Sequence, residues 1–241
     1  MKSRKRHDPY LEERTGATIS IIKEVIMTYN KTNITIADLG GGDGRATRRV
    51  ISLLTPDLNI SKFFVVDLMP DTKLQQEFPF IKIITHDLNL QGLPIEDESV
   101  DVVYSLETIE HLYNPDVFLE EIKRILKPGG LLVISTVNLL AWHNRILCVL
   151  GSLPIHYEVS NKKKYGRFSV LKKGNPVGHI RVFSPKALIE MLDDNGFKVI
   201  NVKGLQFIYN PSLSYIDKFF KHIPNWSSAF VVAAIKKGDK S

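Results

Sequence analysis

One cysteine, Cys148, stands in 241 residues, so no intramolecular disulfide can form, and no Cys/His cluster has zinc-finger spacing. Burial alone must hold this fold. No run approaches the roughly eighteen apolar residues that a membrane span requires, and residues 1–18 are too polar for a secretory signal. The default address is the cytoplasm. Internal repeats and low-complexity tracts are also lacking, and a chain 44% hydrophobic and 24% charged is neither disordered nor fibrous. An excess of one charge is nearly lacking: 32 Lys+Arg against 26 Asp+Glu leave +6. That excess is concentrated. From His156 to Phe183, Lys162, Lys163, Lys164, Arg167, Lys172, Lys173 and Arg181 face Glu158 alone, and Lys2, Arg4, Lys5 and Arg6 crowd the start. The remainder is mildly acidic, which disfavours a surface that coats nucleic acid uniformly.

What is present is a change of period. Ile19, Ile22, Val25, Ile26 and Tyr29 recur at helical spacing, which predicts an amphipathic helix over 10–30 behind a polar tail. Residues 1–30 form this leader, and 31–241 read as one domain. From residue 34, ITIADL, KFFVVDL, FIKIITHD, VDVVYS and GLLVISTV are short β-branched runs separated by helix-compatible segments or turns. This alternation predicts an α/β fold with a parallel sheet covered on both faces. Pro115 opens a helix that Lys127-Pro128-Gly129-Gly130 stops, and Ser184-Pro185 opens another that ends at Gly196. Strand-like material follows at 197–202 and 229–235. Between 138 and 183 an apolar segment and the basic stretch interrupt the alternation, which reads as a lid over the strand ends.

The segment ITIADLGGGDGRATRRVI places Gly40, Gly41, Gly42 and Gly44 between a strand and a helix start. Glycines there allow a sharp turn and close approach, and direct free N–H groups and the positive helix end at a small anionic or zwitterionic ligand. The dinucleotide pattern G-x-G-x-x-G fails at its third glycine, where Arg45 or Thr47 stands. Asp67 follows Gly44 by about the interval at which such a unit delivers an acid to a ribose. The plainer role for an Asp after a strand is turn capping.

Asp38-x-Gly40-x-Gly42-x-Gly44, Asp67 ending the second strand, Thr85-His86-Asp87-Leu88 ending the third, Leu93-Pro94 to Asp101, Glu107 to His111, and Leu126 to Gly130 occur in order. Together they resemble a class I S-adenosylmethionine-dependent methyltransferase, in the subgroup similar to ubiquinone- and menaquinone-biosynthesis methyltransferases, over residues 34–136 and more weakly to the C-terminus. The resemblance implies a Rossmann-like doubly wound sheet of order 3-2-1-4-5-7-6 with the last strand antiparallel. It implies S-adenosylmethionine as cofactor and S-adenosylhomocysteine as product. Asp67 and Leu68 would meet the ribose end, and Asp87 and Leu88 the adenine. Asp38 would lie under the loop and order its N–H groups, with the loop and Ser105–Leu106 facing the methionine end.

Methyl transfer from a sulfonium needs alignment, exclusion of water and, for a hydroxyl or amine acceptor, a place for a proton. Glu107, Glu110 and His111 follow the fourth strand. His111 reads as a general base with a glutamate orienting its ring. By resemblance, Glu107, Glu110 and His111 with His179 would instead hold Mg²⁺ or Mn²⁺, although the resemblance does not require a metal. The third reading is a helix-entry element without chemistry. In the insert, Asn138, Asn144-Arg145 and Gly178 to Ser184 resemble an arrangement common in glycan- or lipid-modifying relatives, with Val137 in place of the usual proline. Trp142, His143, Arg145, Tyr165 and His179 are the acceptor-side candidates, against plain packing or a solvated loop. LSYIDKFFKHIP is amphipathic; packing on the sheet competes there with a membrane surface or partner subunit for Phe219, Phe220 and Trp226.

The reading is methyl transfer to a small-molecule, glycan or lipid-linked acceptor. The alternatives are an RNA methyltransferase using the basic tail and loop, a cofactor-binding accessory protein without chemistry, and a nicotinamide oxidoreductase. Neither oligomeric state nor the atom methylated follows from these residues.

Overall fold

The computed structural model describes residues 8–28, 32–208, 210 and 212–238; the basic start and Tyr29 lie outside them. The first helix, α1 (Pro9–Thr28), buries Ile19, Ile22 and Ile26 on the face that their spacing predicts. Then β1 (Ile34–Leu39), α2 (Arg45–Leu54), β2 (Ile60–Asp67), α3 (Lys73–Glu77), β3 (Ile81–Thr85) and β4 (Val100–Leu106) alternate. They are followed by α4 (Pro115–Ile125), β5 (Leu126–Val137), α5 (Trp142–Val149), α6 (Pro185–Asp194), β6 (Phe197–Leu205), α7 (Ser214–Phe220) and β7 (Ala229–Lys236). The seven strands form one sheet of order β3-β2-β1-β4-β5-β7-β6. Pairing is parallel from β3 to β5, and β7 runs antiparallel to both its neighbours. This is the architecture that the resemblance implied.

Side chains alternate between two cores, as strand geometry demands. Leu39, Val66, Val103 and Ile134 pack on one face with residues of α4 and α6. On the other, Ile36, Val65, Tyr104 and Val133 meet residues of α1 and α2. Both covers leave the C-terminal ends of β1, β2, β3 and β4 at one edge, where a doubly wound sheet places its ligand.

Local chemistry fixes the helix starts. Asn114 accepts the Val117 N–H ahead of Pro115, and the Ser184 hydroxyl accepts the Ala187 N–H ahead of Pro185. Lys127 to Gly130 is a bulged entry inside β5 rather than a separate turn: Val100 pairs with Leu126, yet Val102 pairs with Leu131. The insert leaves and returns at one point. Asn138 and Phe183 form a parallel bridge, and the Leu139 N–H donates to the Phe183 carbonyl at 2.8 Å.

Candidate active site

The glycine turn is pinned from below. Gly40 and Gly41 N–H both donate to the Val66 carbonyl, at 2.8 and 3.2 Å, and Gly44 N–H donates to Gly41. The Gly42 N–H donates to Asp67 Oδ2 at 2.9 Å. These amides therefore have partners within the chain, which corrects the expectation of free N–H groups there. The glycines serve backbone shape: Gly40, Gly42 and Gly44 have φ of +94°, +49° and +72°.

Loop ordering falls to Asp67 rather than to Asp38. Asp67, expected at the ribose or else capping a turn, is the acid that orders the loop, and its Oδ1 also accepts the Met69 N–H at 2.8 Å. Asp38, expected to order the loop N–H groups, accepts the hydroxyls of Thr47 (2.6 Å) and Tyr104 (2.8 Å) and ties β1 to α2 and β4. Burial pushes its carboxyl up to about 6, against the pull of both hydroxyls. Asp87 forms a turn: its Oδ1 accepts both the backbone and side-chain N–H of Asn89, which hold its carboxyl below the usual range. Leu68 is exposed, Leu88 and Leu106 are buried, and the buried Ser105 hydroxyl donates to the Leu39 carbonyl.

A cavity of about 190 Å³ opens on this turn, lined by Asp38, Gly40 to Asp43, Arg45, Ala46 and Leu106, and by Leu11 and Arg14 from α1. Sequence reasoning missed these last two. Helical period shows which face of α1 is apolar but not which loop that helix crosses. Arg14 stacks over the Tyr10 ring at 5.0 Å, its buried Nε–H has no partner, and its charge opposes the upward shift that burial imposes on Asp38, Glu107 and Glu110.

Beside the cavity stand the acids. Glu107 has φ +56°, a conformation costing about 1–3 kcal/mol that turns the chain back after β4. Its Oε1 accepts the Ser135 hydroxyl at 3.0 Å, and Tyr10 faces it. Glu110 accepts the Thr136 hydroxyl at 2.9 Å, while its buried Oε1 has no partner. Burial holds both carboxyls above the usual range, and Glu107 adds to the effect on Glu110.

His111 and His179 meet with ring centroids 4.9 Å apart. His111 Nδ1 lies 3.0 Å from the Gly178 carbonyl and His179 Nδ1 lies 3.2 Å from the His156 carbonyl. A carbonyl only accepts, so each Nδ1 carries a proton, and the neutral form of each ring has its lone pair on Nε2. Donor atoms of Glu110, His111 and His179 lie within 4.8 Å of one another. Glu107 stands outside this set and serves Ser135 instead, which trims the four-residue metal expectation to three.

Of the acceptor-side residues, the structure brings His179 to His111 and puts the others elsewhere. Trp142 is buried: its Nε1–H donates to Asp217 Oδ1 at 2.8 Å and its ring stacks on Phe220, which stacks on Trp226. His143 is buried beside Ser228, and burial lowers it to about 4. Arg145 spans Trp226 at 4.5 Å and donates to the Leu140 and Asn225 carbonyls. Tyr165 lies exposed on the outer surface. Plain packing won at Trp142, His143 and Arg145 because they follow a β-strand whose antiparallel neighbour β7 brings α7 and the segment after it. Trp142→Phe should therefore cost stability by about 2 kcal/mol, since the buried Asp217 loses one of its donors, and leave cofactor affinity unchanged. Parallel denaturant titrations and calorimetry would show it; a selective loss of affinity would return Trp142 to the site.

Residues 10–202 match a family model described as a methyltransferase domain. The chain is 36% identical over 118 residues to the mitochondrial ubiquinone biosynthesis O-methyltransferase of Dictyostelium discoideum, covering 48% of this chain and 31% of that protein. It is 24% identical to the ubiquinone biosynthesis O-methyltransferase of Rickettsia akari over 80% of this chain and 70% of that one. Among solved structures, the 1,6-didemethyltoxoflavin-N1-methyltransferase of Burkholderia thailandensis, with 1,6-didemethyltoxoflavin and S-adenosylhomocysteine bound, superposes with a TM-score of 0.58. It is 15% identical, over 96% of this chain and 82% of that one. The matches span only 31% and 36% of the first two curated relatives. On the match across most of its length, the chain belongs to the methyltransferase-domain family, in its class I, S-adenosylmethionine-dependent branch.

Proposed function

We propose that this chain transfers a methyl group from S-adenosylmethionine to a small-molecule or lipid-linked acceptor, with His111 taking the acceptor's proton. The observation that carries this reading is the glycine-turn cavity at the strand ends, lined by Leu106, which Glu107 follows in the chain, and by Arg14, whose charge acts on both Glu107 and Glu110. The cofactor supplies an electrophilic methyl on a sulfonium, so no covalent nucleophile is needed.

The chain's own residues would do four things. The turn and Asp67 would fix the amino-acid and ribose ends, and the Leu68 side chain, exposed at the strand end, would cover an aromatic ring. Arg14, on the cavity wall, would offset the negative charge of a bound carboxylate. The insert, tied at Asn138–Phe183, would exclude water from the acceptor side. His111, with Nδ1–H committed to Gly178, would present Nε2 as a base. Relatives named for O-, N- and carbon methylation share this fold, so the acceptor class comes only by analogy with the small molecules in their names.

Calorimetric titration with S-adenosylmethionine and S-adenosylhomocysteine, with NAD⁺ as control, tests the cofactor. Micromolar binding of both sulfur compounds is expected, with a loss of about tenfold in Arg14→Ala, the worth of one charge-assisted bond. Binding of NAD⁺ alone would replace this reading with an oxidoreductase. An acceptor screen would start with prenylated phenols and glycans.

A second reading is favoured by one observation, the convergence of Glu110, His111 and His179. One carboxylate and two imidazoles suit Mn²⁺ or Mg²⁺, which would hold an acceptor diol. Titration with Mn²⁺ followed by electron paramagnetic resonance decides it: one bound ion, lost in His179→Ala, supports the metal, and no binding leaves His111 as the base.

A further inference from the structure

We propose that the outer face of the insert is a docking surface for an anionic lipid bilayer. The inference goes beyond methyl transfer and does not rest on it.

Helix α5 begins against the C-terminal segment, but its last turn faces away. Ile146, Val149 and Leu150 are 52%, 87% and 61% exposed. After Gly151 the chain loops out and returns beside this turn: the Leu153 N–H donates to the Gly166 carbonyl at 2.7 Å, and the Leu153 side chain sits against Gly166. That contact sets Tyr165 and Phe168 next to the end of α5, with Val170 following; these are 53%, 45% and 70% exposed. Single exposed apolar residues are ordinary, but six on two adjoining segments mark a contact surface.

Cations surround them. Lys162, Lys163, Lys172 and Lys173 are exposed, and Lys164 Nζ donates to the Lys173 carbonyl at 3.1 Å, which draws the two lysine runs side by side. Glu158 is the sole acid between residues 139 and 180. Its carboxylate is already engaged by the N–H groups of Val177, Gly178 and His179 at 2.8–3.2 Å. Among the described residues, these four exposed lysines make no ion pair. The face is thus cationic and apolar together.

That combination selects the partner. A nucleic acid would use the lysines and the rings of Tyr165 and Phe168, but the other four of the six, Ile146, Val149, Leu150 and Val170, have no ring to stack. Aliphatic side chains gain by leaving water for a hydrocarbon boundary, while lysines at its rim gain from anionic headgroups. A bilayer held there would lie on the lid side of the site, within reach of an acceptor that carries a lipid tail.

Sedimentation of the full chain, without cofactor, on phosphatidylcholine vesicles with and without phosphatidylglycerol tests this. Binding is expected only with the anionic lipid, weakened about tenfold or more both by Val149→Glu/Leu150→Glu and by Lys162→Glu/Lys163→Glu. Unchanged cofactor affinity in these surface variants would show that the fold and the methyltransferase site are intact. Absence of binding to anionic vesicles overturns the proposal. So does binding that ignores the apolar substitutions and is displaced by RNA, which would make the face a nucleic-acid surface. A dimer in light scattering that Val149→Glu disperses would overturn it too, in favour of a contact between copies.

Discussion

Gly40→Val is expected to weaken S-adenosylhomocysteine binding by about a hundredfold or more, the scale of the several kcal/mol that a displaced turn costs, and to lower the thermal midpoint. At Gly40 a Cβ would lie 2.1 Å from Thr108 Oγ1, 2.7 Å from its Cγ2 and 2.9 Å from its Cβ. Rotating Thr108 moves the first two atoms but not the third, so backbone must shift. The φ of +94° adds strain for any residue with a side chain, most of all a β-branched one. Movement would not stay local. Gly40 and Gly41 hang from one carbonyl, that of Val66, and Gly42 is held by the next residue, Asp67. Displacing Gly40 therefore loosens Asp67, the acid proposed for the ribose end. Gly42→Ala supplies the control, because nothing lies within 4 Å of a Cβ there. It should show only the cost of positive φ, about 1 kcal/mol. Equal losses in the two variants would show that close approach at Thr108 is not what makes Gly40 necessary.

In Asp38→Asn, the difference in unfolding free energy from the native chain should change by about 3 kcal/mol between about pH 4 and about pH 7, in favour of the variant at the higher pH. The native carboxyl sits at about 6 because burial penalises its charge more than Thr47, Tyr104 and Arg14 stabilise it. Between its unfolded value near 3.8 and that folded value, the folded chain holds a proton that the unfolded chain has released. Native stability from this group is therefore complete below the unfolded value and falls as pH rises to the folded one. Asparagine has no such proton, and other groups cancel in the difference. Urea titrations of both chains across that window read it directly. A difference that does not move with pH would mean that Arg14 and the two hydroxyls outweigh burial and that Asp38 is ionised throughout.

Why the fold keeps a costly acid follows from its place. Tyr104 on β4 and Thr47 on α2 both donate to one oxygen of Asp38, at the point where β1 gives way to the turn. The same spot faces Arg14 across the cavity. A neutral residue would still accept both hydroxyls, but it would leave the partnerless guanidinium Nε–H beside one charge fewer.

Much of the molecule was readable from local pattern. The β-branched runs at 34–39 and 100–105 became β1 and β4, and Pro115 and Ser184-Pro185 mark helix starts where asparagine and serine oxygens accept the first free amides. The glycine turn and its following acid at Asp67 were legible for the same reason: each satisfies a backbone demand of its own neighbourhood. Which of Asp38 and Asp67 orders the loop was not. Both are acids at strand ends, and which one reaches the Gly42 amide depends on how far β2 rises beside β1, a matter of register between strands.

The acceptor side shows the limit most clearly. Trp142 and Arg145 looked like pocket residues because an apolar helix follows β5 near the sheet edge, yet β7 pairs with β5 and brings Asp217, Phe220 and Trp226 to meet them. Arg14 and Tyr10 looked like leader residues and instead face Asp38 and Glu107. The sequence by itself determined the alternation of elements and the glycine turn, since these follow from spacing along the chain, while the cofactor class came with the resemblance that the ordered motifs carry. Only the tertiary structure decided which charges share the buried site, because that depends on contacts between segments far apart in sequence, whose cost in desolvation no local pattern records.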